Sequence, residues 1–311
     1  MPLLAKDDRV QAEEKEEKEA QTRLDIVDVL SLDKKYDKAV KAAQELLDTL
    51  EKKGVNARAK EEVLRRVIRA MSLQGNVKEA SKMVEKLGSD RPGDYRNSET
   101  KAWMQRELGN DAEAAKLYQD MLERVRKDDE LDKETKTEYE NDIRYMLSGI
   151  YIDLDQVDKA VDELETLLKR DPDNPSYNND LGYVLADHDR KLPEAEKLIR
   201  KAIDLDRAER KKKADSKPED NRDNAAYLDS LGWVLFKMKK YDDAKKYLQQ
   251  ATEEKDGQHI EILDHLADVH LVMGDKGEAL KVWKKALTLE TKSKREKEKK
   301  VQVEKKLKAN Q

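Results

Sequence analysis

The chain has 311 residues, of which 64 are basic and 69 acidic, for a net charge of −5; 43% are charged, 37% apolar and only 5% aromatic. The near-cancellation of the two signs excludes the strongly basic footprint of a whole-protein nucleic-acid binder, and the lack of cysteine excludes disulfides, thiolate zinc sites and cysteine nucleophiles. Glycine (11) and proline (6) are scarce, as they are in long helices.

The opening, MPLLAKDDRV, lacks an apolar segment of signal-peptide length. Residues 7–19 hold seven acids and three bases, so 1–19 reads as a charged extension. No run approaches the roughly 18 apolar residues of a membrane span. A cytoplasmic chain is expected as the sequence stands, or a periplasmic one if a leader has been removed.

From there a repeat runs along the chain. A small residue recurs inside a charged amphipathic helix at Ala39 (KKYDKAVKAAQELL), Ala80 (GNVKEASKMVEKL), Ala114 (GNDAEAAKLYQDML), Ala160 (DQVDKAVDELETLL), Ala195 (RKLPEAEKLIRKAI), Ala244 (KKYDDAKKYLQQAT) and Ala279 (GDKGEALKVWKKAL). Successive separations are 41, 34, 46, 35, 49 and 35 residues. A fixed period of this length marks stacked structural units, each unable to bury its apolar face alone. Each unit reads as two helices. In the sixth, Leu228, Leu231, Gly232 and Leu235 share one face, and Tyr241, Ala244, Leu248 and Ala251 share the next. Gly232 and Ala244 let two antiparallel backbones approach. Pro92, Pro172, Pro175 and Pro218 fall at connections and Pro193 in a first helical turn. Residues 207–223 (RAERKKKADSKPEDNRD) read as an insertion.

The pattern of a large residue, Leu-Gly and an aromatic, then Ala and a second Ala, resembles the tetratricopeptide repeat. LGYVLA and LGWVLF carry it, and HLADVHLVMGDKGEALKVWKKAL carries it with Ala267 in the glycine place and Trp283 as the bulky second-helix residue. The resemblance covers about 20–290. It divides into degenerate units at 20–140, whose first-helix registers stay open around Trp103, and well-matched units at 141–290. It implies an all-α, right-handed α-solenoid of about seven helical hairpins. The last third is also similar to bacterial periplasmic tetratricopeptide lipoproteins, including adaptors of C-terminal-processing proteases, in which the repeat protein recruits and does no chemistry. The leader and lipid-bearing cysteine of that family are absent from the sequence.

In such a stack, the first-helix stripe offset from the packing residues lines the concave face. Counting from Leu231 and Gly232, that stripe holds Asp229, Trp233, Phe236 and Lys237 in unit six, and Asn179, Tyr183 and Asp187 in unit five. Unit four contributes Tyr145, Ile152 and Asp153; unit seven contributes Asp264, Asp268 and Leu271. Aromatic steps supply contact area at low entropic cost, and the acids favour a partner with basic and apolar side chains. The alternative is that Trp233 and Tyr183 are partly core, covered by the adjacent repeat. A carboxylate clamp of Lys, Asn and Arg is not expected, since those places are Asp or aromatic.

No phosphate-binding, dinucleotide, metalloprotease or nucleophile-elbow motif occurs. His265 and His270 are five apart, off the spacing by which two helical residues share a metal, and His188 is expected in a turn. No cofactor, metal, small-molecule substrate or catalytic residue is expected. Residues 291–311 are basic, with nine bases and three acids in 292–308. They read as a capping helix through Val301, Val303 and Leu307, or as a tail for anionic membrane or nucleic acid, or as a segment docking in a neighbouring copy's groove. The expected function is a non-catalytic scaffold or adaptor, with homo-oligomerisation through the N-terminal repeats as a further option.

Overall fold

The computed structural model describes residues 21–33, 35–53, 57–85, 87, 94–212, 222–254, 256–291 and 294–311. The N-terminal extension, Pro92, Pro218 and most of the 207–223 insertion lie outside them. Among the described residues the chain is helical, with no strand. It divides into two compact units between Leu154 and Asp155.

The first unit holds α1 (21–32), α2 (Tyr36–Lys53), α3 (Ala57–Gln74), α4 (Val77–Val84), α5 (Tyr95–Glu107), α6 (Asp111–Lys127) and α7 (Lys133–Asp153). The second holds α8 (Val157–Arg170), α9 (Pro175–Asp187), α10 (Leu192–Lys212), α11 (Ala225–Lys237), α12 (Tyr241–Glu253), α13 (Ile260–Val272), α14 (Lys276–Leu287) and α15 (Lys294–Ala309). In the first unit α1–α2, α3–α4 and α5–α6 are hairpins, and in the second α9–α10, α11–α12 and α13–α14 are; α7 and α8 flank the division, in the sequence places of a first and a second helix. Within each unit, packing joins sequential helices and successive first helices, as in α9 on α11 and α11 on α13. This is an α-solenoid.

All seven repeat alanines are fully buried. In five of the hairpins the residue twelve places earlier is its partner across the hairpin: Val27, Ile68, Ala102, Gly232 and Ala267; Ser148 stands at the same sequence spacing before Ala160. Gly182 stands one place further off because its turn has an extra residue. All seven of these are buried too. A Cβ on Gly232 would lie 2.5 Å from Leu248 Cγ, and one on Gly182 would lie 2.6 Å from Ile199 Cγ1 and 2.9 Å from the Ala195 carbonyl. The close approach read from the sequence is therefore real. The registers left open in the first three hairpins also close: Ala102 takes the packing place in α5, and Trp103 is turned to the neighbouring stripe, half-buried, with the Arg69 guanidinium 5.9 Å from its ring centroid.

Helix starts follow two rules. The helices α5, α7, α9, α11 and α13 begin at Asp94, Asp132, Asn174, Asn224 and His259, whose side chains accept from backbone N–H groups of the first turn. Pro175 thus opens α9 at its first position instead of lying in a connection. The helices α4, α6, α8, α12 and α14 have no side-chain cap. Their entry is set one residue earlier by left-handed backbone at Gly75, Gly109, Asp155, Lys239 and Gly274.

Candidate functional site

The face formed by α9, α11 and α13 carries most of the predicted site residues, and their side chains tie the three helices together. Tyr183 on α9 donates its hydroxyl to Glu261 on α13 at 2.9 Å. The indole N–H of Trp233 on α11 donates to Asp187 on α9 at 2.9 Å. His265 Nδ1 on α13 lies 2.9 Å from Asp229 Oδ1 on α11. The Trp233 ring stacks on His265 (centroids 4.1 Å apart, 13° between planes) and on Phe236 (5.0 Å, 13°). Lys237 reaches Asp189 at 2.8 Å and the Asp187 carbonyl at 3.0 Å. Asn179 and Asp229 are buried; Tyr183, Trp233, Phe236 and Lys237 are half-buried, and Asp187 is exposed. The aromatic residues are thus partly core and partly surface, placed between the two options the sequence allowed.

Burial sets the electrostatics. It pushes the Tyr183 hydroxyl well above its ordinary value, helped by the charges of Glu261, Asp187 and Asp229. Burial would raise Glu261 as well, but Arg295, His265, Lys299 and the Tyr183 hydroxyl overcome it and hold this carboxyl at about 2. For His265, burial works against the proton, yet Asp229 and then Glu261 outweigh it, so its pKa is raised.

The acids of α13 are already engaged. Asp264, 1% exposed, accepts from the Trp283 indole at 2.9 Å and from Lys306 at 2.9 and 2.8 Å. Asp268 accepts from Lys306 at 2.6 Å. Leu271 is half-buried against the core that holds Trp283 and Leu307. Val303 and Leu307 of α15 are buried in that core, whereas Val301 is half exposed to solvent. The terminal basic helix therefore lies on the last hairpin of its own chain.

The remaining three predicted residues belong to α7 in the first unit. Tyr145 is exposed and Ile152 half-buried, and Asp153 pairs with Arg106 at 2.5 Å. Gly149, in the place that Tyr183 and Trp233 take in their helices, leaves room for that guanidinium, 3.5 Å from where a Cβ would stand. Elsewhere in the first unit, Arg65, Arg66, Arg69 and Arg96 line a cleft of about 560 Å³ with Leu32 and Leu73.

Sequence spacing does not point to Glu261, a cross-helix acceptor, and it sets His265 aside as off the spacing for a shared metal. Neither stands out in sequence, because Glu261 looks like an ordinary first-turn acid and His265 occupies the place that Ser230 has in α11. Among the described residues no group of three or more His, Asp or Glu side chains is arranged to hold a metal ion, and no helix is long and apolar enough to cross a membrane.

Comparison with known proteins bears on the same segments. Tetratricopeptide repeat families match residues 145–210 and 225–256. A TPR repeat-containing protein of Pseudomonas aeruginosa is 31% identical over a 190-residue alignment that covers 58% of this chain but only 26% of that protein, so the chain spans about a quarter of its relative's length. A tetratricopeptide repeat protein from Parabacteroides merdae is similar in fold, with a TM-score of 0.64 over 92% of this chain and 98% of that one, at 14% identity. A thermophilic TPR protein of Thermus thermophilus aligns at a TM-score of 0.49 and 20% identity, over 69% of this chain and 97% of that one. The chain carries tetratricopeptide repeats over residues 145–210 and 225–256, set in an all-α solenoid.

Proposed function

We propose that the protein is a non-catalytic scaffold whose second unit binds a segment of another protein along the face of α9, α11 and α13. Tetratricopeptide repeats generally mediate protein–protein interaction, which supports the class. The observation that carries the site is the set of cross-helix hydrogen bonds Tyr183–Glu261, Trp233–Asp187 and His265–Asp229. They hold a row of aromatic rings and carboxylates rigid in advance of a partner, which lowers the ordering cost of binding. Trp233 and Phe236 act as apolar anchors, and Asp187 is the accessible acid that favours a basic partner. Asp229 and Asp264 act from within, by fixing His265 and Trp283.

The test is a photo-crosslinking amino acid placed at Asp187 or Phe236, and as a control at the exposed Lys246 on α12, in otherwise unchanged chains. Adducts with one protein from the first two positions and not from the third are expected. Equal labelling from all three overturns the reading. A protease, or a protein delivered to one, among the adducts would make the chain an adaptor of the kind its last third resembles. The basic-tail reading has less support, because Arg295, Lys299 and Lys306 face carboxylates of α13.

A further inference from the structure

The inner stripe of α15 is unusual for a helix that merely closes a stack. A closing helix needs an apolar inner face and a polar outer one. Here the stripe facing α13 reads Arg295 (itself exposed), Glu296, Lys299, Val303, Lys306 and Leu307; only Val303 and Leu307 are apolar, and Glu296 meets His259, the residue that caps α13, at 3.2 Å. Each of the three cations meets an acid of α13. Arg295 lies 3.1 Å from Glu261, Lys299 lies 3.6 Å from Asp264, and Lys306 is held by three carboxylate oxygens of Asp264 and Asp268. The Trp283 indole fixes Asp264 from the other side. Two neighbouring carboxylates repel each other when buried, and burial together with Asp264 raises the pKa of Asp268. The site is relieved by an ammonium group, and burial of Lys306 is more than offset by the two acids. An apolar seat would be as stable or more so. The charges make the seat selective for a basic helix over an apolar one.

We propose that the acidic face of α13 is a docking surface for a basic amphipathic helix of a partner protein, and that α15 occupies it in that helix's absence. This rests on the reading that the α9–α11–α13 face binds protein, and it names the partner's chemistry. The partner presents two cations seven residues apart, as Lys299 and Lys306 are, with one apolar side chain between them and one directly after. Because α15 is tethered, it competes as if present at a local concentration on the order of millimolar. A partner must outcompete it through further contacts along α9 and α11, so binding is gated by how firmly α15 is held.

The experiment uses the full chain and, as the probe, a fluorescent peptide with the sequence of residues 294–309. The Lys299→Glu, Lys306→Glu chain, whose α15 is repelled from α13, should bind the peptide at least tenfold tighter than wild type does. That binding should weaken with salt and be lost on adding Asp264→Asn and Asp268→Asn. Hydrogen exchange in α9–α12 reports whether the variant stays folded. A milder chain, Lys306→Gln, keeps the test open if it does not: its α15 amides should exchange at least tenfold faster than in wild type with α13 unchanged. Equal peptide binding by wild type and variant, binding indifferent to Asp264 and Asp268, or unchanged α15 exchange in Lys306→Gln each overturns the proposal. So does a rise in mass of the charge-reversed chain without peptide, which would make a second copy the occupant. The cross-links from Asp187 and Phe236 are read independently, so failure here is distinct from failure of the binding face.

Discussion

At the scale of single residues, three glycines in similar sequence settings have opposite roles. Gly182 faces the Ala195 carbonyl at 2.9 Å from a would-be Cβ, and backbone cannot step aside as a side chain can. Gly182→Ala should therefore destabilise by about 1–3 kcal/mol through overpacking, despite the roughly 1 kcal/mol helical preference for alanine. Gly232→Ala should also destabilise, because its Cβ would stand 2.5 Å from Cγ of the fully buried Leu248, but by less, since the nearest backbone atom, the Ala244 carbonyl, is 3.2 Å away. Gly149 meets only the tip of Arg106, so Gly149→Ala should stabilise by about 0.5–1 kcal/mol. Urea denaturation of the three variants checks the order, and a stabilising Gly182→Ala would refute the close-packing account. A pH effect belongs to this scale as well. His265 holds its proton more tightly when folded than when unfolded. Its contribution to stability is thus complete below about pH 6.5 and is lost as pH rises through the raised folded value. Glu261, held at about 2, contributes above its ordinary value and loses that contribution as pH falls toward 2. Melting wild type and His265→Gln from about pH 5.5 to about pH 9 should show their difference shrinking with rising pH. A constant difference would mean that His265 is not charged in the folded chain.

At the scale of elements, the hairpin turns carry a correctable strain. The residue before the cap position of each uncapped second helix is left-handed, and the chain uses glycine there at 75, 109 and 274 but aspartate at 155 and lysine at 239. A side chain in that region costs about 1–2 kcal/mol, less for Asp than for Lys because Asp can bond to nearby backbone. Lys239→Gly should therefore stabilise the second unit by about 0.5–1 kcal/mol net of glycine's greater freedom when unfolded. Asp189→Gly should gain less. Slower hydrogen exchange at the start of α12 is the readout, and unchanged or faster exchange would show that the turn is unstrained. These elements were largely legible in the sequence, because packing within a hairpin writes itself as small residues at a fixed spacing. Ala244 and Gly232, with the leucines around them, are enough to mark both helices of the sixth unit. What was not legible depends on where distant side chains land. Arg106 fills the space above Gly149 from another hairpin, and Lys306 covers Asp264 from a helix two elements downstream. A carboxylate on the open stripe of α13 reads as exposed until α15 is placed on it.

At the scale of the whole molecule, packing within each unit joins helices no more than two elements apart. Stability in such an array is a sum of hairpin terms and nearest-neighbour interfaces, so cooperativity is local. A single two-state transition is then not the expectation for the whole chain, and a single unfolding free energy would misdescribe it. The chain divides into two compact units between Leu154 and Asp155. We therefore expect hydrogen exchange in graded urea to release α3–α6 and α9–α14 as separate groups, each with its own midpoint. Gly182→Ala offers the decisive perturbation, since Ile199 and Ala195, which it strains, both lie in the second unit. It should lower the midpoint of α9–α14 and leave that of α3–α6 where it was. A common shift of both groups would mean that the strain at one hairpin is felt along the entire chain, and that the array folds as one body.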